Sequence, residues 1–469
     1  MTAEKDTLLI REQFVPPRSK VTTRRRFVAR KAKRKEESLF AVLCAWIVDQ
    51  QIGICVNLLI LLGLVHFAFP RARQYTRKFY ELSYFDSESG NYGRGWDDVY
   101  FITLWAVIFT GLRAMVIDYI LKPFARWGGI ESKKLRTRFA EQAWAVIYYT
   151  ASWSLGMYIM YNSSYWLNTW EMWTHWPTWQ IAPLFKLYYL AQIGYWIHML
   201  AVIFIEERRK DHWQMFTHHV FTSLLLITSY GHYMNKVGNV ILCIMDFVDI
   251  VLATAKVLNY FRFRLACDIA FGVFLVSWFV TRHVLYNRVF WSVAVDLHAA
   301  TPYGCYETTT GRQVTTDGGS AIWANVLQPF NDQDGLVCFN KQIEYGFLGL
   351  LAGLQVLTII WFGMIIRVAY GVLSGKKAED TRSDDEDDCD SEEEEEIEVD
   401  DLEKPEDAPI EFEVDASEVT GAFKTERAGS PATRSKTRKS AAARASAISI
   451  PGHGDHKELL GRIGCDKPT

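Results

Sequence analysis

Two histidines, His218 and His219, stand side by side in an apolar stretch, and two aspartates, Asp246 and Asp249, stand three residues apart in the next one. Ionisable groups inside apolar segments are costly to bury, and they usually face a bundle interior where they do chemistry. An imidazole can exchange a proton near neutral pH or attack an acyl carbon. A carboxylate on its far ring nitrogen fixes the tautomer and stabilises the imidazolium. Adjacent helical residues point about 100° apart, so His218 and His219 are expected to have different jobs. Asp246 and Asp249 share a helix face, and Thr222 shares one with each histidine. Two imidazoles facing two carboxylates in a dry pocket compose an acyl-transfer centre. The plainer alternative is that the histidines only hydrogen-bond between helices. No metal site is assigned, because none of the 11 His shows the H-x3-H or H-x2-H-H spacing of membrane di-iron enzymes.

The elements that carry these residues follow from composition. The chain has 469 residues, 49% hydrophobic and 14% aromatic, with 17 Trp. Several runs reach the length of roughly 20 apolar residues that crosses a hydrocarbon core. Eight spans are predicted, near 51–69, 99–121, 139–161, 183–205, 214–233, 239–258, 268–294 and 345–370. The fold class is therefore all-α, a polytopic membrane protein. Residues 38–48 read as a short helix lying on the membrane. Residues 1–37 lack an apolar core, so no cleavable signal peptide is expected.

Residues 18–35 hold ten Lys/Arg and no acid, which should keep that end in the cytosol, and eight spans return the C-terminus to the same side. The basic segments 126–138, 206–210, 262–264 and 376–377 fall on the cytosolic side, whereas Arg71, Arg73, Arg77 and Lys78 fall on the other and dissent. The fifth and sixth spans are joined by a short turn at 234–238, so they run antiparallel. That places His218 at roughly 7 Å and Asp249 at roughly 13 Å from the cytosolic helix ends, compatible depths given that span ends are uncertain by two to four residues.

Four parts result: a basic head at 1–37, a two-span region at 38–133, a catalytic bundle at 134–372 and a tail at 373–469. Residues 379–401 contain 16 Asp/Glu and one basic residue, Arg382, and such a run cannot bury enough apolar surface to fold. Ser383 and Ser391 precede acidic runs and read either as phosphorylation sites or as parts of a solubilising tail. Asn162 opens an N-S-S glycosylation sequon in a loop expected to be lumenal. Cys305 and Cys338 lie in the long lumenal loop 295–344, as a disulfide in an oxidising compartment or as two free thiols.

Taken together, Arg208-Arg209-Lys210-Asp211, Met215, His218-His219, Thr222, Ser229-Tyr230, Gly238, Asp246, Asp249 and Ala255-Lys256 resemble the longevity-assurance motif of ceramide synthases. These enzymes sit within the TRAM–LAG1–CLN8 (TLC) membrane family. Lys186-Leu187-Tyr188-Tyr189-Leu190 and Tyr195-Trp196 also look like this family, and the resemblance runs over about 134–372. It implies a helix bundle enclosing a lipid chamber in the endoplasmic reticulum membrane, and N-acylation of a sphingoid base by a fatty acyl-CoA. Acyl-CoA is then a co-substrate and no cofactor is implied.

By the same resemblance, His218 and His219 form the catalytic pair with Asp246 and Asp249. His218 is expected to attack the thioester and His219 to assist proton removal, the aspartates holding the imidazoles or the incoming amine. Thr222, Ser229 and Tyr230 are carried over as substrate contacts. Arg208, Arg209, Lys210 and Lys256 can meet the CoA phosphates or serve only as topology markers. Partners are the two substrates and membrane lipids, with no nucleic acid. A small single-span regulatory subunit and a dimer are further expectations. The basic head and acidic tail look fungal. Tyr233 and Lys236 stand where animal members often have Asn and Arg, so animal chain-length preferences are not carried over. Two other functions use similar features: a non-catalytic TLC-type lipid sensor or translocation partner, and a proton-coupled transporter.

Overall fold

A computed structural model of the protein describes residues 43, 46–205 and 211–374. Arg208, Arg209, Lys210, Ser383 and Ser391, both tails and most of the segment 38–48 lie outside the described residues. Eight long helices occupy the eight predicted positions. They are α1 (Gln51–Ala68), α2 (Asp98–Trp127), α3 (Lys133–Tyr161), α4 (Pro183–Ile205), α5 (His212–Gly231), α6 (Asn235–Tyr260), α7 (Arg264–Ala300) and α8 (Lys341–Leu373). Helices suit this setting because hydrocarbon offers backbone groups no water, so each must bond within its own segment.

Among the described residues, α1, α2, α4, α7 and α8 are long and apolar enough to cross a membrane by themselves. Helices α3, α5 and α6 fall short of that measure, so five of the eight predicted crossings stand on hydropathy alone. Of these three, α5 carries the histidine pair, α6 the aspartate pair, and α3 is rich in Tyr, Trp and Ser. Their polar groups point inward. His219 is 3% exposed and Asp246 is 2% exposed.

Helix polarity alternates, because the four connections α1–α2, α3–α4, α5–α6 and α7–α8 meet at one end of the bundle. Arg94 of the first donates to the carbonyl of Thr178 in the second (2.8 Å) and to Asn235 Oδ1, where α6 begins after the third (2.9 Å). Gln333 of the fourth donates to the Arg94 carbonyl (2.8 Å), and the Trp176 indole donates to the His232 carbonyl (3.0 Å). Trp173, Trp176, Tyr233, Tyr306, Phe339 and Phe347 fill the space between these segments. A small antiparallel sheet stands there in the order β2-β1-β3, formed by β1 (Gly304–Glu307), β2 (Gln313–Thr315) and β3 (Leu336–Phe339). Cys305 and Cys338 face each other across β1 and β3 and are joined by a disulfide. Two of the dissenting basic residues are neutralised at this end, Arg77 by Glu81 (2.5 Å) and Lys78 by Asp97 (2.8 Å). Asn162 caps α3 at the same end, exposed, with its amide donating to the Tyr158 carbonyl (2.8 Å).

Beneath this end lies a buried charge cluster. Lys186 on α4 is fully buried and pairs with Asp98 at the start of α2 (2.7 Å). Its ammonium also donates to the carbonyls of Ser83 (2.9 Å) and Gly93 (2.8 Å). The Tyr230 hydroxyl donates to the second Asp98 oxygen (2.8 Å). The two-span N-terminal region is thereby fastened to the rest of the bundle.

Candidate active site

A cavity runs down the interior of the bundle between α5, α6, α7 and α8. Its lining spans Thr222 to Ser229 on α5 and Val237 to Asp249 on α6. At ~1.5 Å per residue the α6 wall is roughly 18 Å long. One end is polar, with His218, Asp246, Asp249, Arg282 and Thr358. The other end, beside the connecting segments, is apolar, with Trp173, Met234, Val293 and Phe347. Gly238 borders the apolar end, where a Cβ would run into the Tyr189 phenol that bonds Ser229 (2.5 Å).

The histidine pair divides as adjacent helical positions must. His218 lines the cavity, and its buried Nδ1 has no hydrogen-bond partner among the described residues. Thr222 Oγ1, one turn further along the same wall, is likewise buried without a partner. Buried polar groups are nearly always hydrogen-bonded, so two orphaned atoms on one wall point to a ligand. His219 packs behind the wall against Trp196, ring centroids 5.4 Å apart. It is not part of the cavity lining, in keeping with different jobs for the two imidazoles. Trp196 and Trp361 flank the His218 ring at 5.7 and 5.4 Å and set its plane.

Each aspartate is held by a side chain from another helix. Asp246 Oδ2 accepts from Ser152 Oγ on α3 (3.0 Å). Ser152 accepts from the Gln192 amide on α4, whose oxygen accepts from the Tyr148 hydroxyl (3.0 Å). Asp249 meets Arg282, with Nη2 3.3 Å from both carboxylate oxygens. Arg282 is buried, donates to the Met245 carbonyl (3.1 Å) and lies over the Trp278 ring at 5.1 Å. It projects from a π-helical stretch of α7 at Phe279–Leu285. Such insertions shift the following side chains around the axis and recur at functional sites. In the sequence Arg282 stands out only as an ionisable residue within the predicted span 268–294. Ser152, Gln192 and Tyr148 gave no signal, since each is unremarkable until another helix meets it.

Of the substrate contacts carried over by resemblance, Thr222 and Ser229 line the cavity. Tyr230 points away from it, to Asp98, and belongs to the buried charge cluster. Lys256 is half-buried near the far end of α6 and is not part of the lining. Among the described residues, no group of three or more His, Cys, Asp or Glu is placed to hold a metal ion.

This arrangement sets a nucleophile-competent imidazole, two braced carboxylates and a cation at the mouth of a long apolar tube. It can hold an acyl chain in the tube and present its carbonyl to His218. Comparison with known proteins gives the same direction. The TLC domain family model matches residues 138–367. The chain is 47% identical to the sphingosine N-acyltransferase-like protein ALT7 of Alternaria alternata, over 74% of this chain and 78% of that one. It is 40% identical to the sphingosine N-acyltransferase lag1 of Schizosaccharomyces pombe, over 68% and 75% of the two chains. It is 38% identical to the ceramide synthase FUM18 of Gibberella moniliformis, over 69% and 76%.

Proposed function

The chain belongs to the TLC-domain membrane family, and from that premise we propose that it is a ceramide synthase that transfers a fatty acyl group from acyl-CoA to the amine of a sphingoid base. The observation that carries the mechanism is the orphaned His218 Nδ1 on the wall of an apolar tube. The acyl chain lies in the tube and its thioester carbonyl meets the His218 imidazole. The imidazole lone pair attacks the carbonyl, the C–S bond breaks, and CoA leaves as the thiolate to be protonated in water. The acyl group is then carried on His218 nitrogen.

The sphingoid amine attacks the same carbonyl carbon. The C–N bond to His218 breaks, the amide forms and the amine's proton passes to Asp246. Ser152 holds that carboxylate through its 3.0 Å bond. Arg282 fixes Asp249, which can take the first proton of an arriving ammonium so that the free amine attacks, the second proton passing to Asp246 as the amide forms. The thioester arrives already activated, so the reaction requires neither a metal nor a further cofactor. His219 acts as a positioning residue through Trp196. Arg208, Arg209 and Lys210 remain candidates to meet the CoA phosphates from the cytosol. The protein resides in the endoplasmic reticulum membrane with both termini cytosolic. Protection of either tail in protease-treated sealed microsomes would overturn that topology.

The test is direct. The protein with acyl-CoA and sphinganine, followed by mass detection, should yield the N-acylated base, and no product would refute the reading. A lipid sensor or a transporter would give none. Replacing Arg282 with Gln should lower kcat by roughly 10²-fold, the scale of a small misplacement of reacting groups. Arg282→Lys should retain part of the rate. Wild-type kcat in Arg282→Gln would show that Asp249 needs no such brace.

A further inference from the structure

We propose that Trp173 is the stop that sets the longest acyl chain this protein accepts, and that Ser292 locks the stop in place; this rests on the acyl-transfer reading above. The polar groups of the cavity are gathered at the His218 end. An acyl carbonyl held there must send its chain the other way, because methylenes gain nothing among carboxylates and are stabilised in an apolar lining. Along that direction the tube is walled by Leu351, Leu354, Ile241 and Val237 and then meets Trp173.

Trp173 is not part of a membrane helix. It comes from the α3–α4 connection, and its side chain enters the bundle end, where it is 2% exposed. Two bonds hold it. Its indole Nε1 donates to Ser292 Oγ on α7 (2.8 Å), and its carbonyl accepts from Thr301 Oγ1 (3.4 Å). Ser292 is itself fully buried. A chain longer than the tube would have to push the indole aside, breaking a buried hydrogen bond and overpacking the surrounding aromatic cluster. A fastened indole therefore makes a sharp limit, where a loose aliphatic end would yield. An extra methylene against such a wall is discriminated by about tenfold or more.

The experiment supplies a mixed series of saturated acyl-CoAs with one sphingoid base and reads the product distribution by mass. Trp173→Ala should move the preferred length upward by about two carbons or more, the room left by the deleted ring. Ser292→Ala, which frees the ring without removing it, should broaden the distribution toward longer chains. Val293→Phe, which fills the same end from α7, should move it downward. An unmoved distribution in Trp173→Ala and Val293→Phe overturns the proposal. Where Trp173→Ala does not accumulate as folded protein, Val293→Phe decides alone: a shortened distribution supports the stop and an unchanged one removes it. A wild-type protein that acylates no base at any chain length instead refutes the function reading on which the stop depends.

Discussion

Replacing His218 with Ala should reduce amide formation by roughly 10³-fold or more, the scale expected when a covalent nucleophile is removed. Its imidazole lines the cavity with an unsatisfied Nδ1, and no other imidazole lines that wall. Incubation of the wild-type protein with acyl-CoA alone should add one acyl mass to the intact chain, and His218→Ala should not take it up. His219→Ala should still form the adduct. Its ring packs against Trp196 behind the wall, so its loss loosens the His218 setting without removing the attacking group. Two-substrate kinetics should be ping-pong, because CoA leaves before the amine attacks. Intersecting double-reciprocal plots with no adduct in the wild type would instead mean direct attack by the amine, with His218 as its base.

Lys186→Met should be the most destabilising single change outside the cavity, costing about 3–5 kcal/mol. The Lys186–Asp98 pair is 2.7 Å apart, with side chains 0% and 1% exposed. Removing the ammonium strands a carboxylate in the interior and leaves the carbonyls of Ser83 and Gly93 without their donor. The Tyr230 hydroxyl and the Gly95 N–H still reach Asp98, so the group keeps partial compensation. A shared Lys186→Met and Asp98→Asn variant should recover most of the loss, since a neutral amide can accept from Tyr230 at far lower desolvation cost. The measurement is the thermal midpoint of the detergent-solubilised protein, followed by the fraction retaining substrate turnover. A Lys186→Met protein as heat-stable as the wild type would show that this cluster does not fasten α2 to α4.

What could be read from the chain alone follows one-dimensional rules. Backbone groups in hydrocarbon must bond within their own segment, so an apolar run long enough to cross is a helix; a long helix stands at each of the eight predicted positions, and five of them are apolar enough to cross. Charge bias and alternation then put the odd-numbered connections on one side, where Arg94, Thr178, Asn235 and Gln333 meet. The His218-His219 pair and the Asp246, Asp249 pair were conspicuous because ionisable groups in such runs are costly. Their type and spacing, together with the surrounding motif, already pointed to acyl transfer.

The azimuth of each helix, and the side chains it meets, were decided only by packing. Periodicity says that His218 and His219 point about 100° apart, but not which of them faces the tube. That depends on where α4 places Trp196 and where α8 places Trp361. Antiparallel neighbours, shared faces and compatible depths put the aspartates near the imidazoles, but could not name the side chains that brace them. The fold gives Asp246 to Ser152, 94 residues away, and Asp249 to Arg282, 33 residues away. Tyr230 belongs to the motif in sequence yet turns to Asp98, because Lys186 makes that corner the place where a phenol hydroxyl gains most. A local pattern cannot encode such pairings. Their energy depends on desolvation and contact distance between segments far apart in the chain, and these exist only once the helices are packed.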